Sequence, residues 1–167
     1  MTIRNALPRI FACILVAAVI VAGTATPSAA EDLLILSNAT DPAQAAVHLS
    51  EADLLALPQV TIRTRTEFTD GVAEFVGPLV RDVLALIKTG TATSAHLVAA
   101  NDYAIDAPLS DFTNYGVILA MQVNGERLSR RDKGPLWVMY PLDDHAELQD
   151  PYYTIRLVWQ LIELELR

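Results

Sequence analysis

Apolar residues in this chain come in short runs whose spacing switches between two and three to four residues, which predicts a mixed α and β fold. Residues 31 to 37 (Glu-Asp-Leu-Leu-Ile-Leu-Ser) suit a first strand, and residues 38 to 46 a polar connection. Ser50, Glu51 and Asp53 start a short helix that Pro58 ends: the hydroxyl caps free backbone donors and the acids favour the positive helix end. Val60 to Thr66 alternates as a half-buried strand does, and the Asp70-Gly71 turn makes Val72 to Val76 its hairpin partner. Gly77-Pro78 then reads as a helix start, with Leu79, Val80, Val83, Leu84 and Ile87 on one face and Gly90 at the end.

Further on, His96 to Ala100 and Tyr103 to Ala107 read as strands around an Asn101-Asp102 turn, followed by a brief helical turn from Pro108 to Phe112. Tyr115 to Val123 is a nearly unbroken apolar strand that turns at Asn124-Gly125, a dipeptide suited to a type I′ turn. A charged loop, Ser129 to Gly134, precedes a strand from Leu136 to Tyr140. Asp143 to Pro151 is acidic and irregular, and Val158 to Leu166 closes the chain as a strand. The expected architecture is one α+β domain on a mixed sheet, with about seven strands, two substantial helices and no internal repeats.

The first thirty residues have a different character. Arg4 and Arg9 precede an uncharged stretch from Ile10 to Gly23, and Pro27-Ser28-Ala29-Ala30 follows, the layout of a secretion signal cleaved after Ala30. The apolar run is shorter than the ~20 residues that span a bilayer. Residues 31–167 are then the mature domain, located in the periplasm, with no membrane insertion after cleavage. Cys13, the single cysteine, leaves with the signal, so the mature part has no disulfide, thiolate nucleophile or thiolate metal ligand. Losing Arg4 and Arg9 takes the formal charge from −8 to −10, which argues against nucleic acid as a partner.

Familiar catalytic patterns are missing. His48, His96 and His145 stand singly, without an i, i+4 partner or a nucleophile motif: His96 reads as a strand-edge residue, the other two as solvated. No Gly-rich loop precedes a helix to cradle a phosphate, and the pairs Asp143-Asp144 and Glu163/Glu165 read as surface charge. What remains is a concentration of cations and aromatic faces: Arg130, Arg131, Lys133, Trp137 and Tyr140, then Tyr152, Tyr153, Arg156 and Trp159. Such a set suits a flat polar heterocycle with an anionic or hydroxylated tail, and equally a Trp and Tyr core with solvated basic residues around it.

Four blocks carry a resemblance: Phe75-Val76-Gly77-Pro78-Leu79-Val80-Arg81-Asp82-Val83-Leu84, Asn101-Asp102-Tyr103-Ala104-Ile105-Asp106-Ala107-Pro108-Leu109, Gly116-Val117-Ile118-Leu119-Ala120 and Arg131-Asp132-Lys133-Gly134-Pro135-Leu136-Trp137. In this order and spacing, over about residues 58 to 166, they resemble the landmarks of the sulfite-oxidase-type molybdopterin-binding domain. Enzymes of that family bind molybdenum through a cysteine just ahead of the Gly-Pro-Leu segment. The matching stretch here, Thr64-Arg65-Thr66-Glu67-Phe68-Thr69, has no cysteine, and the positive charge of Arg65 opposes a cation.

The resemblance implies that the loop Arg131-Asp132-Lys133-Gly134-Pro135 lies against a pterin and that Thr154-Ile155-Arg156 holds its anionic end. Asp132 or Asp102 would accept the paired N–H donors of the pterin ring while Trp137 or Tyr103 stacks on it. Arg65, Asn101, Arg131, Lys133, Tyr140 and Arg156 complete the expected ligand set. The chain is similar to a cysteine-free subset of exported family members that act as periplasmic pterin-binding regulators of inner-membrane cyclic di-GMP enzymes, and so of biofilm signalling. The expectation is a non-catalytic protein that takes a pterin, in reduced form, without molybdenum, and meets the periplasmic domain of a membrane signalling partner. Two alternatives stay open: a molybdopterin-dependent oxidoreductase with an atypical metal site, and a ligand-free interaction module.

Overall fold

The computed structural model describes residues 31–167, so the segment expected to be a secretion signal, with Cys13, lies outside the described residues. Strand β1 (Asp32–Asn38) turns Leu34 and Leu36 inward, as a two-residue period requires. It pairs antiparallel with β2 (Val47–Ser50), a strand not anticipated, and Ser50 then caps α1 (Glu51–Ala56). The Ser50 hydroxyl accepts the Asp53 N–H at 3.3 Å and the Asp53 carboxylate accepts the Ser50 N–H at 2.9 Å. These Ser50 hydrogen bonds hold the Asp53 carboxyl below its ordinary pKa.

Strands β3 (Gln59–Arg65) and β4 (Val72–Pro78) form the expected hairpin, with Gly71 at φ +76° in its turn. Gly77 and Pro78, however, stay in the strand and do not begin a helix, and α2 (Val80–Leu84) is only five residues long. Backbone proximity explains the difference. A Cβ on Gly77 would lie 1.8 Å from the Leu119 carbonyl oxygen, so β4 runs against the main chain of β7 (Ile118–Ala120) where a side chain has no room. The apolar periodicity predicting a longer helix still serves burial: Val80, Val83, Leu84 and Ile87 all enter the core.

Ahead of β7, strands β5 (Ser94–Ala99) and β6 (Ala104–Pro108) lead into α3 (Leu109–Asn114). The expected continuous strand from Tyr115 to Val123 breaks at Met121, whose N–H donates to Val76 O at 2.8 Å. Its first part, β7, pairs with β10 (Trp137–Met139), while its second, β8 (Gln122–Val123), joins the β3–β4 sheet together with β9 (Glu126–Arg127). Asn124 and Gly125, both at positive φ, make the anticipated tight turn. The segment expected to be irregular holds a 3₁₀ turn, Ala146–Gln149, and α4 (Pro151–Thr154), capped by the Asp150 carboxylate.

The last strand, β11 (Leu161–Leu166), lies parallel to β1 and antiparallel to β5, giving a five-stranded sheet in the order β2-β1-β11-β5-β6. His96 is therefore inside this sheet and not at its edge: it faces Asp106 on one side and Glu165 on the other, with Nδ1 2.7 Å from the Asp106 carboxylate. One continuous apolar cluster joins the inner faces of the sheets, the α+β arrangement expected, with more strands and shorter helices. Gly77→Ala is expected to destabilise the protein by about 3 kcal/mol or more, read as a lower urea midpoint at an unchanged slope, because β4 and β7 must separate to admit the methyl group.

Candidate functional site

Three segments converge on one cleft of about 230 Å³: the loop after β3, the turn between β5 and β6, and the chain from α4 to Trp159. The loop is shaped by its own hydroxyls. Thr69 Oγ1 accepts the Thr66 N–H and Thr66 Oγ1 accepts the Phe68 N–H, each at 3.1 Å, which brings Glu67 and Phe68 to the cleft. At the β5–β6 turn, Asp102 takes φ 65°, and Asn101 and Tyr103 on either side of it line the cleft.

The third wall turns from exposed to buried. Ile155 faces out and Arg156 faces in; the Ile155 carbonyl accepts the Tyr103 hydroxyl at 2.7 Å, joining two walls. Trp159 meets Phe68 edge to face, with ring centroids 4.9 Å apart, and both rings are half-buried. Phe68, Tyr103, Ile155 and Trp159 thus offer apolar and aromatic surface, while Glu67 and Asn101 supply polar groups at the rim.

Behind this wall is a buried ionic cluster. Arg156, 2% exposed, donates from Nη1 to the Asp111 carboxylate on α3, and the same oxygen accepts the Tyr140 hydroxyl at 3.0 Å. The Tyr152 ring lies 4.0 Å from the guanidinium carbon and the Tyr153 ring 5.4 Å, a cation–π arrangement. Burial, and then the Asp111 charge, push the Tyr140 phenol well above its usual range. Hydrogen bonding with Tyr153, followed by burial, raises Tyr115 to about 12.

Of the residues expected to bind ligand, Asn101 and Tyr103 line the cleft. Asp102 projects from the turn tip, exposed, and Arg65 ends β3 with its Nε 3.6 Å from the Asp143 carboxylate. Trp137, Tyr140 and Arg156 are interior: Trp137 donates from Nε1 to Leu157 O at 3.0 Å and meets the Phe75 ring edge-on, so it is a core tryptophan. Lys133 lies over Trp137, 5.3 Å from the ring centroid. The Asp132 carboxylate is taken by the Ser129 hydroxyl at 2.7 Å, and Arg131 is exposed beside it. This loop is tied from behind by the Gln160 amide, which donates to Arg130 O and Asp132 O. A second cleft of about 270 Å³ lies there, between Arg130, Gly134, Pro135 and Gln160 and the sheet residues Leu33, Ile35 and Ile162. Glu67 and Phe68 also line the cleft, although neither is in the expected ligand set; the one signal in the sequence is an aromatic residue in the loop that lacks the expected cysteine.

An oxidoreductase molybdopterin-binding domain model matches residues 38–142. No curated protein sequence matches the chain. Among solved structures, the sulfane dehydrogenase SoxCD from Paracoccus pantotrophus aligns over 80% of this chain with a TM-score of 0.59 and 18% identity, a likeness of fold in which the chain spans 37% of that chain's length.

Two outcomes follow from the buried cluster. Asp111→Asn leaves Arg156 buried beside a neutral amide and is expected to cost about 3–5 kcal/mol in chemical denaturation, whereas Asp111→Leu combined with Arg156→Met regains most of that loss. Tyr140 and Tyr115 have folded pKa values above their unfolded value of 10.0, so the stability they contribute is complete below pH 10 and disappears as pH rises through the folded values. Urea midpoints should therefore fall between pH 9 and pH 11.5, and fall less in Tyr140→Phe.

Proposed function

The chain belongs to the oxidoreductase molybdopterin-binding domain family, and we propose that within it this protein is a non-catalytic pterin-binding regulator. One observation carries the reading: the loop that brings Glu67 and Phe68 to the cleft has no thiolate, while the cleft itself keeps surfaces for a flat ring. The residues do not fit a molybdenum-bearing cofactor. The loop matched to the cysteine-bearing one has no sulfur donor, and the cation assigned to the cofactor's anionic end, Arg156, is already paired with Asp111. A cleft of about 230 Å³ is also smaller than the ~300–1,000 Å³ usual for drug-sized ligands, which suits a bicyclic ring without a long metal-carrying tail.

Binding without chemistry has a use only if it is read by a partner. We take the site of action to be the periplasm, because residues 1–30 have the pattern of a secretion signal. The partner in this reading is the periplasmic domain of an inner-membrane enzyme of cyclic di-GMP metabolism, which distinguishes the pterin-filled from the empty form. The regulatory effect then equals the difference in the partner's affinity for the two forms. Tyr103 and Ile155, which wall the cleft and are 42% and 48% exposed, are where occupancy would alter the outer surface.

The test is to express the full chain with its own leader, recover it from the periplasmic fraction, and assay extracted pterin and molybdenum on one sample. The expected result is bound pterin with molybdenum far below one atom per chain. Stoichiometric molybdenum would make the protein an oxidoreductase with an atypical ligand set. Absence of pterin, even after incubation with reduced pterins, would leave an interaction module whose cleft has lost its ligand.

A further inference from the structure

Resting on the reading that the cleft holds a pterin, we infer that Glu67 and Asn101 select it by reading the 2-amino-4-oxo edge of its pyrimidine ring. The sequence resemblance pointed to Asp132 or Asp102 for that task, but neither side chain lines the cleft. Glu67 does. Asp143 faces Arg65, Asp111 holds Arg156, and Asp132 accepts the Ser129 hydroxyl. Among the described residues no ion pair engages Glu67.

Asn101 is oriented by its own turn. Its Oδ1 accepts the Tyr103 N–H at 3.2 Å, which commits the carbonyl end and leaves the amide N–H groups as donors. The two residues therefore present a carboxylate acceptor pair and an amide donor to one cleft. A pterin edge is the complement: its 2-amino and N3 hydrogens are adjacent donors that a carboxylate receives as a fork, and O4 beside them accepts a hydrogen bond. Phe68, Trp159 and Tyr103 bound the volume in which the ring plane lies. The bonds to Glu67 are charge-assisted and become stronger as the ring displaces water from the rim.

The 2-amino group is the discriminating feature, because a lumazine has oxygen there and turns an acceptor toward the carboxylate. Affinities of tetrahydropterin and tetrahydrolumazine for the full-length secreted protein, measured by anaerobic calorimetry, test this. The parent protein is expected to prefer the pterin by at least roughly tenfold, and Glu67→Gln to weaken pterin binding roughly ten- to a hundredfold with lumazine binding unchanged or improved. Asn101→Asp sets a carboxylate against O4, present in both ligands, and should weaken both. Both residues are exposed, so thermal melts near that of the parent will show that the variants are folded. A parent protein that binds neither ligand refutes the pterin reading and this assignment with it. A parent that binds pterin while Glu67→Gln keeps the same affinity and discrimination leaves the pterin reading standing and overturns Glu67 as its selector.

Discussion

Arg156 must have an anion beside it. A guanidinium with 2% of its surface exposed has lost hydration worth several kcal/mol, and only a close carboxylate and aromatic faces offset such a loss. Asp111 supplies the charge from α3, Tyr140 shares its oxygen from the end of β10, and Tyr152 and Tyr153 cover the cation from α4. Three stretches far apart in sequence are thereby held in register. The outer geometry follows: with Arg156 pinned inward, Ile155 faces out, its carbonyl meets Tyr103, and the Leu157 carbonyl meets the Trp137 indole. The cleft wall is the solvent side of a segment whose interior side is an ion pair.

That division explains why the basic and aromatic residues near the end of the chain serve two purposes. Trp137, Tyr140 and Arg156 build the support, whereas Trp159 faces the cleft together with Phe68 and Tyr103. The fold is that of the oxidoreductase molybdopterin-binding domain, but a fold does not fix a chemistry, and the donors presented to this cleft are oxygen, amide and aromatic groups. Such a set recognises shape and hydrogen-bonding edges. The single cysteine, Cys13, lies outside residues 31–167, so recognition of a flat ring is the role we propose for this pocket.

Much of the fold was legible because its signals are local. Ser50 with Asp53 reads as a cap, Asn124-Gly125 as a tight turn, and the alternation in Val60 to Thr66 as a strand, since each depends on the backbone preferences of a few neighbouring residues. The helix expected from Gly77 to Gly90 is confined to Val80–Leu84 for the opposite reason: Gly77 is small to let the Leu119 carbonyl pass, a contact with a residue over forty positions away. Met121 likewise splits one apolar run between two sheets because its N–H has a partner in Val76.

The candidate site divides along the same line. The sequence by itself determined the family landmarks, the missing thiolate in the loop before β4, and the presence of Asn101 and Tyr103 at a turn, because residue identity and order are enough for each. It also showed that cations and aromatic rings are concentrated between residues 130 and 159. Only the tertiary structure decided which of them face solvent. An arginine reads the same whether it awaits a ligand or is neutralised by a buried aspartate, and the difference rests on Asp111, forty-five residues from Arg156 along the chain and in hydrogen-bond contact in space.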